Sequence, residues 1–248
     1  AWKRWGNTAE QIIKSNPYVL CIQGVDLSFS RADAVAAKSD IPADSECRIK
    51  AGITYILRQN ADQGHTCLPL DSLVKTAVSY LDVDEKLIKK VIEDETEEEN
   101  LYYYDKHGRR FVMLADFYKA EDYIARRLAI MRQISYDNKI DFSEVIDLEE
   151  ENNGIQYEKI QREAINLALS KGFLVLTGGP GTGKTTTLNA IISLYQQQGL
   201  NVMICAPTGR AAKRLSDLTG YDAKTIHRLL EVKHTSGDTL AFIHDENN

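Results

Sequence analysis

Residues 176–187 read LTGGPGTGKTTT, and Gly178 to Thr185 within them have the spacing G-x-x-x-x-G-K-[ST]. That spacing constrains the fold around it. A strand must deliver the chain, a glycine loop must turn its N–H groups inward, and a helix must start at the lysine. Both flanks comply. FLVLT (Phe173 to Thr177) is an apolar, β-prone run suited to a buried parallel strand. After the loop, Leu188, Ile191, Ile192 and Tyr195 recur at helical spacing, with Gly199 placed as a C-terminal cap.

The residue types then define the ligand. Gly178, Gly179, Gly181 and Gly183, with Thr182 among them, let the backbone wrap a β-phosphate at a helix N-terminus. Lys184 is expected to reach the β- and γ-phosphates, and Thr185, followed by Thr186, to hold Mg²⁺ through its hydroxyl. The expected cofactors are therefore ATP and Mg²⁺, with Lys184 and Thr185 as the catalytic pair.

A second strand, NVMICAP, leads into TGRAAKRL, so that Pro207 and Thr208 fall at a carboxyl edge, where open α/β sheets bind ligands. Arg210, Lys213 and Arg214 follow on a helix, either as a phosphate rail or as a solvated face. In TIHRLL, Ile226, Leu229 and Leu230 are expected to face a core, with Thr225 and His227 pointing outward. Although the chain carries a net charge of -6, Cys205 to Thr235 holds six basic against three acidic side chains. An anionic partner should prefer this part.

A hydrolysing P-loop also needs an acid at the end of another strand. LAFIHDE, with Asp245 and Glu246, is the one candidate downstream, but His244 interrupts it and TSGD before it reads as a hairpin turn. The expectation is that the catalytic carboxylate lies beyond Asn248, leaving this segment with little or no ATPase.

The N-terminal half is organised differently. Residues 1–50 are expected to be helical, either a small bundle or a helix-hairpin-helix unit joined by DLSF (Asp26 to Phe29). Between Leu68 and Leu114 two helices, expected to be capped by Asp71 and Asp84, precede the strands LYYYD and RFVML around KHGR, which suggests a winged helix. A third helix from about Phe117 to Arg132 carries Ala120, Ile124, Leu128 and Met131 at i, i+4, i+8 and i+11. The second helix runs into EDETEEE (Glu93 to Glu99), which repels phosphates, so a structural or partner-contacting role is expected rather than DNA reading. The polar stretch DLEEENNG marks the main boundary.

The expected architecture is thus α+β and multi-domain: a helical region (1–50), a winged-helix-like region (51–135), an acidic linker (136–154) and a partial RecA-like P-loop domain (155–248). Four scattered cysteines give no CxxC pair, and no apolar run approaches a membrane span. A cytoplasmic protein with no membrane association is expected.

Taken in order, QREAINLAL, VLTGGPGTGKTTT, APTGRAAKRL and TIHRLLE resemble the start of the motor in RecD/TraA-type superfamily-one DNA helicases, the exodeoxyribonuclease V alpha-chain family. NPYVL, FSRADAVA, RIKAGITYIL, GHTCLPLDSL and FYKAEDYIARRL resemble the helix-hairpin-helix and adjoining segments of that family's longer branch. The resemblance covers nearly the whole chain. It implies ATP-driven 5′-to-3′ movement on single-stranded DNA and opening of duplex junctions, in repair or recombination. It matches Gln161 to a glutamine that contacts adenine, and Pro207, Thr208, Thr225 and His227 to positions along the DNA strand, with Arg210 nearby. Where the family's hairpin reads Gly-Ile-Gly this chain has Asp26-Leu27-Ser28, so the hairpin is expected to be a scaffold. Nothing matches the later motifs, and the chain resembles an excised fragment. The competing reading is a nucleotide-binding switch or adaptor whose winged helix binds a protein.

Overall fold

The structure, a computed structural model, describes residues 5–21, 27–39, 41–134, 142–234 and 240–245. The chain is α+β and divides into two compact units, Ala1–Tyr123 and Ile124–Asn248.

In the first unit, short helices α1 (Ala9–Ser15) and α2 (Phe29–Ala36), with a 3-10 turn over Pro17–Cys21, precede the long helix α3 (Glu46–Asp62). Strand β1 (Cys67–Pro69), helices α4 (Leu70–Leu81) and α5 (Glu85–Glu97), and the hairpin β2 (Leu101–Lys106) and β3 (Arg109–Leu114) follow. The sheet order is β1-β3-β2, antiparallel throughout, with Leu68 opposite Val112 and Tyr103 opposite Val112 on its other side. The hairpin turns on His107 and Gly108, both at positive φ (50° and 74°), as a two-residue turn of matching twist requires.

The boundary expected at residue 50 falls within helix α3. Its buried positions Ile49, Ile53, Ile56 and Leu57 follow helical spacing without a break. They join one core with Tyr18, Phe29, Ala32 and Ala36 before them and Leu73, Ile88, Leu101 and Val112 after them. The expected cap on α4 is also corrected: Asp71 lies inside the first turn, and Pro69 precedes the helix with no side-chain cap. Asp84 does cap α5, accepting from Lys86 N at 2.8 Å.

The division between the units falls within α6 (Ala115–Gln133), none of whose residues is buried. The stretch 136–154, expected as an acidic linker, is helical over α7 (Ser143–Asn153), because Val145, Ile146 and Leu148 interleave with its acids and Ile146 is 2% exposed. Next come α8 (Lys159–Ser170) and α9 (Lys184–Gln197). Tyr157, Ile165, Ala190 and Leu194 form the core that holds α7, α8 and α9 together. Gly199 ends α9 as expected, with φ 75° and N–H bonds from Gly199 to Gln196 O and from Leu200 to Tyr195 O.

The parallel sheet is small: β4 (Ile204–Ala206) and β5 (Ala223–Thr225), with α10 (Gly209–Thr219) as crossover. FLVLT, expected as a buried strand, forms no strand among the described residues, and Val175 is 66% exposed. A strand exists only through a neighbour's ladder, and among the described residues none pairs with 173–177. After the short helix α11 (Ile226–Leu229), β6 (Val232–His234) and β7 (Leu240–Phe242) form an antiparallel hairpin.

Candidate nucleotide and nucleic-acid site

The glycine loop folds back over the start of α9. Gly181 and Gly183 sit at φ 76° and 77°, a region open to glycine and strained for other residues. Lys184 Nζ donates to Gly178 O at 2.6 Å, to Gly179 O, and to Thr182 Oγ1 at 3.4 Å, while Thr182 Oγ1 donates to Gly179 O at 3.0 Å. The cation is thus held over the loop by the loop itself. A Cβ on Gly178 would come within 2.7 Å of Thr182 Oγ1, so any larger residue there would have to displace the Thr182 side chain. Thr187 is buried and donates to Gly183 O at 3.1 Å, fixing the first turn below the loop. Thr185 and Thr186 remain half-buried beside Lys184.

Gln161 reaches this loop from α8. Glu158 and Gln161 form a reciprocal capping box, in which Gln161 Oε1 accepts from Glu158 N at 2.8 Å. Its Nε2 is packed over Gly183, where a Cβ would come within 2.1 Å of it. The helix that carries it is clamped to α7, because Arg162 pairs with Asp147 and, at 2.7 Å, with Glu150. These two carboxylates hold the Arg162 guanidinium above its usual range.

The expected nucleic-acid residues gather at one edge. Parallel pairing sets Ala206 opposite Thr225, so both strands end side by side. At each end the threonine starts a helix: Thr208 Oγ1 accepts from Ala211 N and Thr225 Oγ1 from Arg228 N, both at 3.2 Å. Each cap holds a helix start at the strand edge. Pro207, Thr208, Arg210 and His227 are exposed, and Thr225 is half-buried. His227 lies 6.0 Å from the Phe242 ring. Ile226, expected in a core, is 39% exposed, because it opens a four-residue helix that lacks the length to bury a face.

Asp245 follows β7, which pairs antiparallel with β6 outside the parallel pair, and Glu246 lies outside the described residues. Among the described residues no group of three or more His, Cys, Asp or Glu is placed to hold a metal ion.

Comparison with known proteins gives two matches to family models. Residues 161–248 match an AAA domain, and residues 1–67 match the helix-hairpin-helix domain of ATP-dependent RecD2 DNA helicase. The chain is 29% identical over 241 residues to the ATP-dependent RecD2 DNA helicase of Deinococcus radiodurans, covering 93% of this chain and 33% of that protein. It is 42% identical over 93 residues to the RecBCD enzyme subunit RecD of Mycolicibacterium smegmatis (28% of this chain, 17% of that protein). The Haemophilus influenzae RecD subunit is 33% identical over 125 residues (48% and 19%). The chain is thus similar to RecD-type helicases in both its N-terminal and its P-loop segments. It spans about a third of the Deinococcus relative and less of the RecD subunits.

The helix-hairpin-helix match covers α1, α2 and α3. Of the expected hairpin residues Asp26 lies outside the described residues, while Leu27 N donates to Leu20 O at 2.9 Å and Ser28 precedes α2. Arg48 then ties the region together, bonding Asp33 through two nitrogens (2.8 and 3.2 Å) and the carbonyls of Ala43 and Leu81 (2.7 and 2.8 Å). One residue was missed by sequence reasoning: Asn189, on α9 one turn beyond Thr185, whose Oδ1 is buried with no hydrogen-bond partner. The signal for it was a polar residue interrupting TTTLNAII, a position that reads as ordinary helix surface.

Proposed function

We propose that the chain is the nucleotide-binding and DNA-tracking part of an ATP-dependent helicase that moves 5′ to 3′ on single-stranded DNA and opens duplex junctions in repair or recombination. The observation that carries this reading is the arrangement of helix starts. Lys184 opens α9 beneath the glycine loop, and Thr208 and Thr225 open α10 and α11 at the ends of adjacent parallel strands. Helix starts bring N–H donors and a favourable dipole to phosphate oxygens.

In this reading Gly178, Gly179, Gly181, Thr182, Gly183, Lys184, Thr185 and Thr186 hold the phosphates of ATP, and the Thr185 hydroxyl holds Mg²⁺. The ion supplies charge neutralisation at the β- and γ-phosphates when bound. The chain's own residues supply the rest. The Lys184 ammonium, pre-positioned over the loop, transfers from carbonyl acceptors to phosphate oxygens. Pro207, Thr208, Arg210, Thr225 and His227 contact the DNA backbone, which makes binding largely independent of sequence. Asp245 follows a strand of an antiparallel pair rather than one of the parallel sheet, and this supports a segment that binds ATP without turning it over. Four unpaired cysteines support a cytoplasmic setting.

The test uses fluorescence anisotropy with labelled oligothymidylate and titration calorimetry with Mg-ATP. Lys184→Ala should weaken ATP binding by at least about tenfold, since it removes a charge-assisted contact. Thr208→Ala and His227→Ala should weaken oligothymidylate binding and leave ATP affinity unchanged. In the full-length protein the same two variants should lose stimulation of the ATPase by single-stranded DNA. An ATPase indifferent to single-stranded DNA would overturn the helicase reading.

A further inference from the structure

A cavity of about 410 Å³ lies where α9 meets α7, the loop before α8 and the end of α10, wholly within the second unit. Its lining is rich in oxygen. Glu149, Thr186, Asn189, Ser193 and Thr219 contribute to it, and among the described residues no Lys, Arg or His does. Asn189 and Ser193 stand four residues apart on α9, so the helix presents them on one face, about 6 Å apart along its axis.

Two acceptors in this lining are left incomplete. Glu149 is 4% exposed, and its carboxylate accepts only from neutral amides, Asn153 Nδ2 at 2.9 Å and Gln197 Nε2 at 2.8 Å. The nearby Arg162 is engaged by Asp147 and Glu150 instead. Glu149 therefore has no cationic partner among the described residues, whereas buried charges are as a rule paired or bound to a metal ion. Its field is felt across the cavity: burial first, and then Glu149 and Glu150, push the Tyr157 phenol up. Asn189 is the second case. Its Nδ2 donates to Leu218 O only at 3.5 Å, and its Oδ1 is buried with no hydrogen-bond partner. A neutral donor would satisfy Oδ1 and leave the Glu149 charge unanswered; a cation answers both.

We infer that this cavity is a binding site for a potassium ion, held by the Glu149 carboxylate and the Asn189 Oδ1 with hydroxyls of Thr186 and Ser193. The donor set selects the ion. One carboxylate among neutral oxygens falls short of the several that Ca²⁺ draws, and Mg²⁺ gives up its waters reluctantly. No thiol or imidazole is among the lining residues to suit a softer metal. Potassium sheds water more readily than sodium and accepts neutral oxygens in place of its hydration shell, as in channel filters. Bound there, the ion bridges α7 and α9 one turn beyond Thr185 and braces the helix that starts at the glycine loop. The inference stands on the cavity and does not depend on the ATP reading.

Amide hydrogen exchange of the 248-residue chain, free of nucleotide, tests this in potassium chloride against tetramethylammonium chloride at equal ionic strength. At about 200 mM salt, an ion with a dissociation constant of about 10 mM slows the opening of α9 about twentyfold, the factor 1 + [L]/Kd. Helix α4, in the other unit, should exchange alike in both salts. Asn189→Leu should bring the two salts within about twofold of each other at α9, and Asn189→Ala gives the same readout if the leucine variant loses its helical circular dichroism. Asn189→Asp, which adds a charge to the site, should reach full protection at lower potassium. Equal wild-type exchange of α9 in the two salts, or a difference that survives both Asn189→Leu and Asn189→Ala, overturns the inference. Sodium and magnesium chlorides at the same ionic strength should protect α9 less, and equal protection by either would overturn the choice of potassium.

Discussion

The two units solve the burial of apolar side chains in opposite ways. In the N-terminal unit the three strands among the described residues have antiparallel neighbours, and Ile49, Ile53, Leu73, Ile88 and Ile92 are at most 1% exposed. In the C-terminal unit the residues flanking the glycine loop stay open, with Val175 66% and Met203 74% exposed. Yet the candidate site lies in that second unit. Its parts are helix starts, caps and positive-φ glycines, which are satisfied within a few residues and do not depend on a closed sheet. A phosphate-binding geometry can therefore be well formed where the hydrophobic core is thin.

The largest expected effect tests that contrast directly. Ile53→Ala removes buried aliphatic volume from the N-terminal core and should cost about 2–5 kcal/mol of its stability. Val175→Ser, at a side chain already in solvent, should stay within about 0.5 kcal/mol. Amide hydrogen exchange, which reports the two units separately, measures both. Similar losses at the two positions would break the contrast.

The next effect sharpens what holds the glycine loop. Gly183 and Gly199 share nearly the same backbone, at φ 77° and 75°, but a Cβ at Gly183 meets Gln161 Nε2 whereas one at Gly199 meets nothing within 4 Å. Gly199→Ala should cost about 1 kcal/mol, the strain of a left-handed alanine alone. Gly183→Ala should add displacement of Gln161 and reach about 2–3 kcal/mol, with ATP affinity falling roughly tenfold. If the two variants match in melting temperature and in ATP titration, Gln161 does not brace the loop.

What was legible in the sequence follows the same division between local and non-local. Helix α9 and its Gly199 stop, the Asp84 cap and the His107-Gly108 hairpin are written in adjacent residues, and each reads correctly from spacing and turn chemistry. FLVLT reads as a strand because its composition suits one, but pairing depends on a neighbour distant in sequence. Helix α3 reads as two pieces because the motifs change near residue 50, while Ile49, Ile53 and Ile56 continue one buried face across that point. At the site, the spacing G-x-x-x-x-G-K-[ST] announces its ligand. The capping roles of Thr208 and Thr225, and the orphaned Oδ1 of Asn189, emerge only when strands and helices are set side by side.

The smallest effect belongs to the N-terminal unit and asks whether its ion pairs add to its core. Asp33 is bonded through both carboxylate oxygens by Arg48 and through Oδ1 by the Tyr18 hydroxyl at 2.5 Å. The Arg48 hydrogen bonds hold the Asp33 carboxyl below its ordinary value, with Tyr18 adding to the same direction against the opposing effect of burial. A carboxylate whose folded pKa is depressed contributes stability that is fully present above the unfolded value, about 3.9, and is lost as pH falls through the folded one. Asp33→Asn should therefore cost about 1 kcal/mol at pH 7, a modest figure because the Asp33 side chain is 31% exposed and solvent screens the pair. The gap between wild type and variant should narrow steadily below about pH 4. Urea titrations followed by tryptophan fluorescence measure it in the right unit, since both tryptophans, Trp2 and Trp5, lie within Ala1–Tyr123. A gap that stays constant down to pH 3 would mean that Asp33 acts through packing and shape, and that the N-terminal unit owes its closure to its aliphatic core alone.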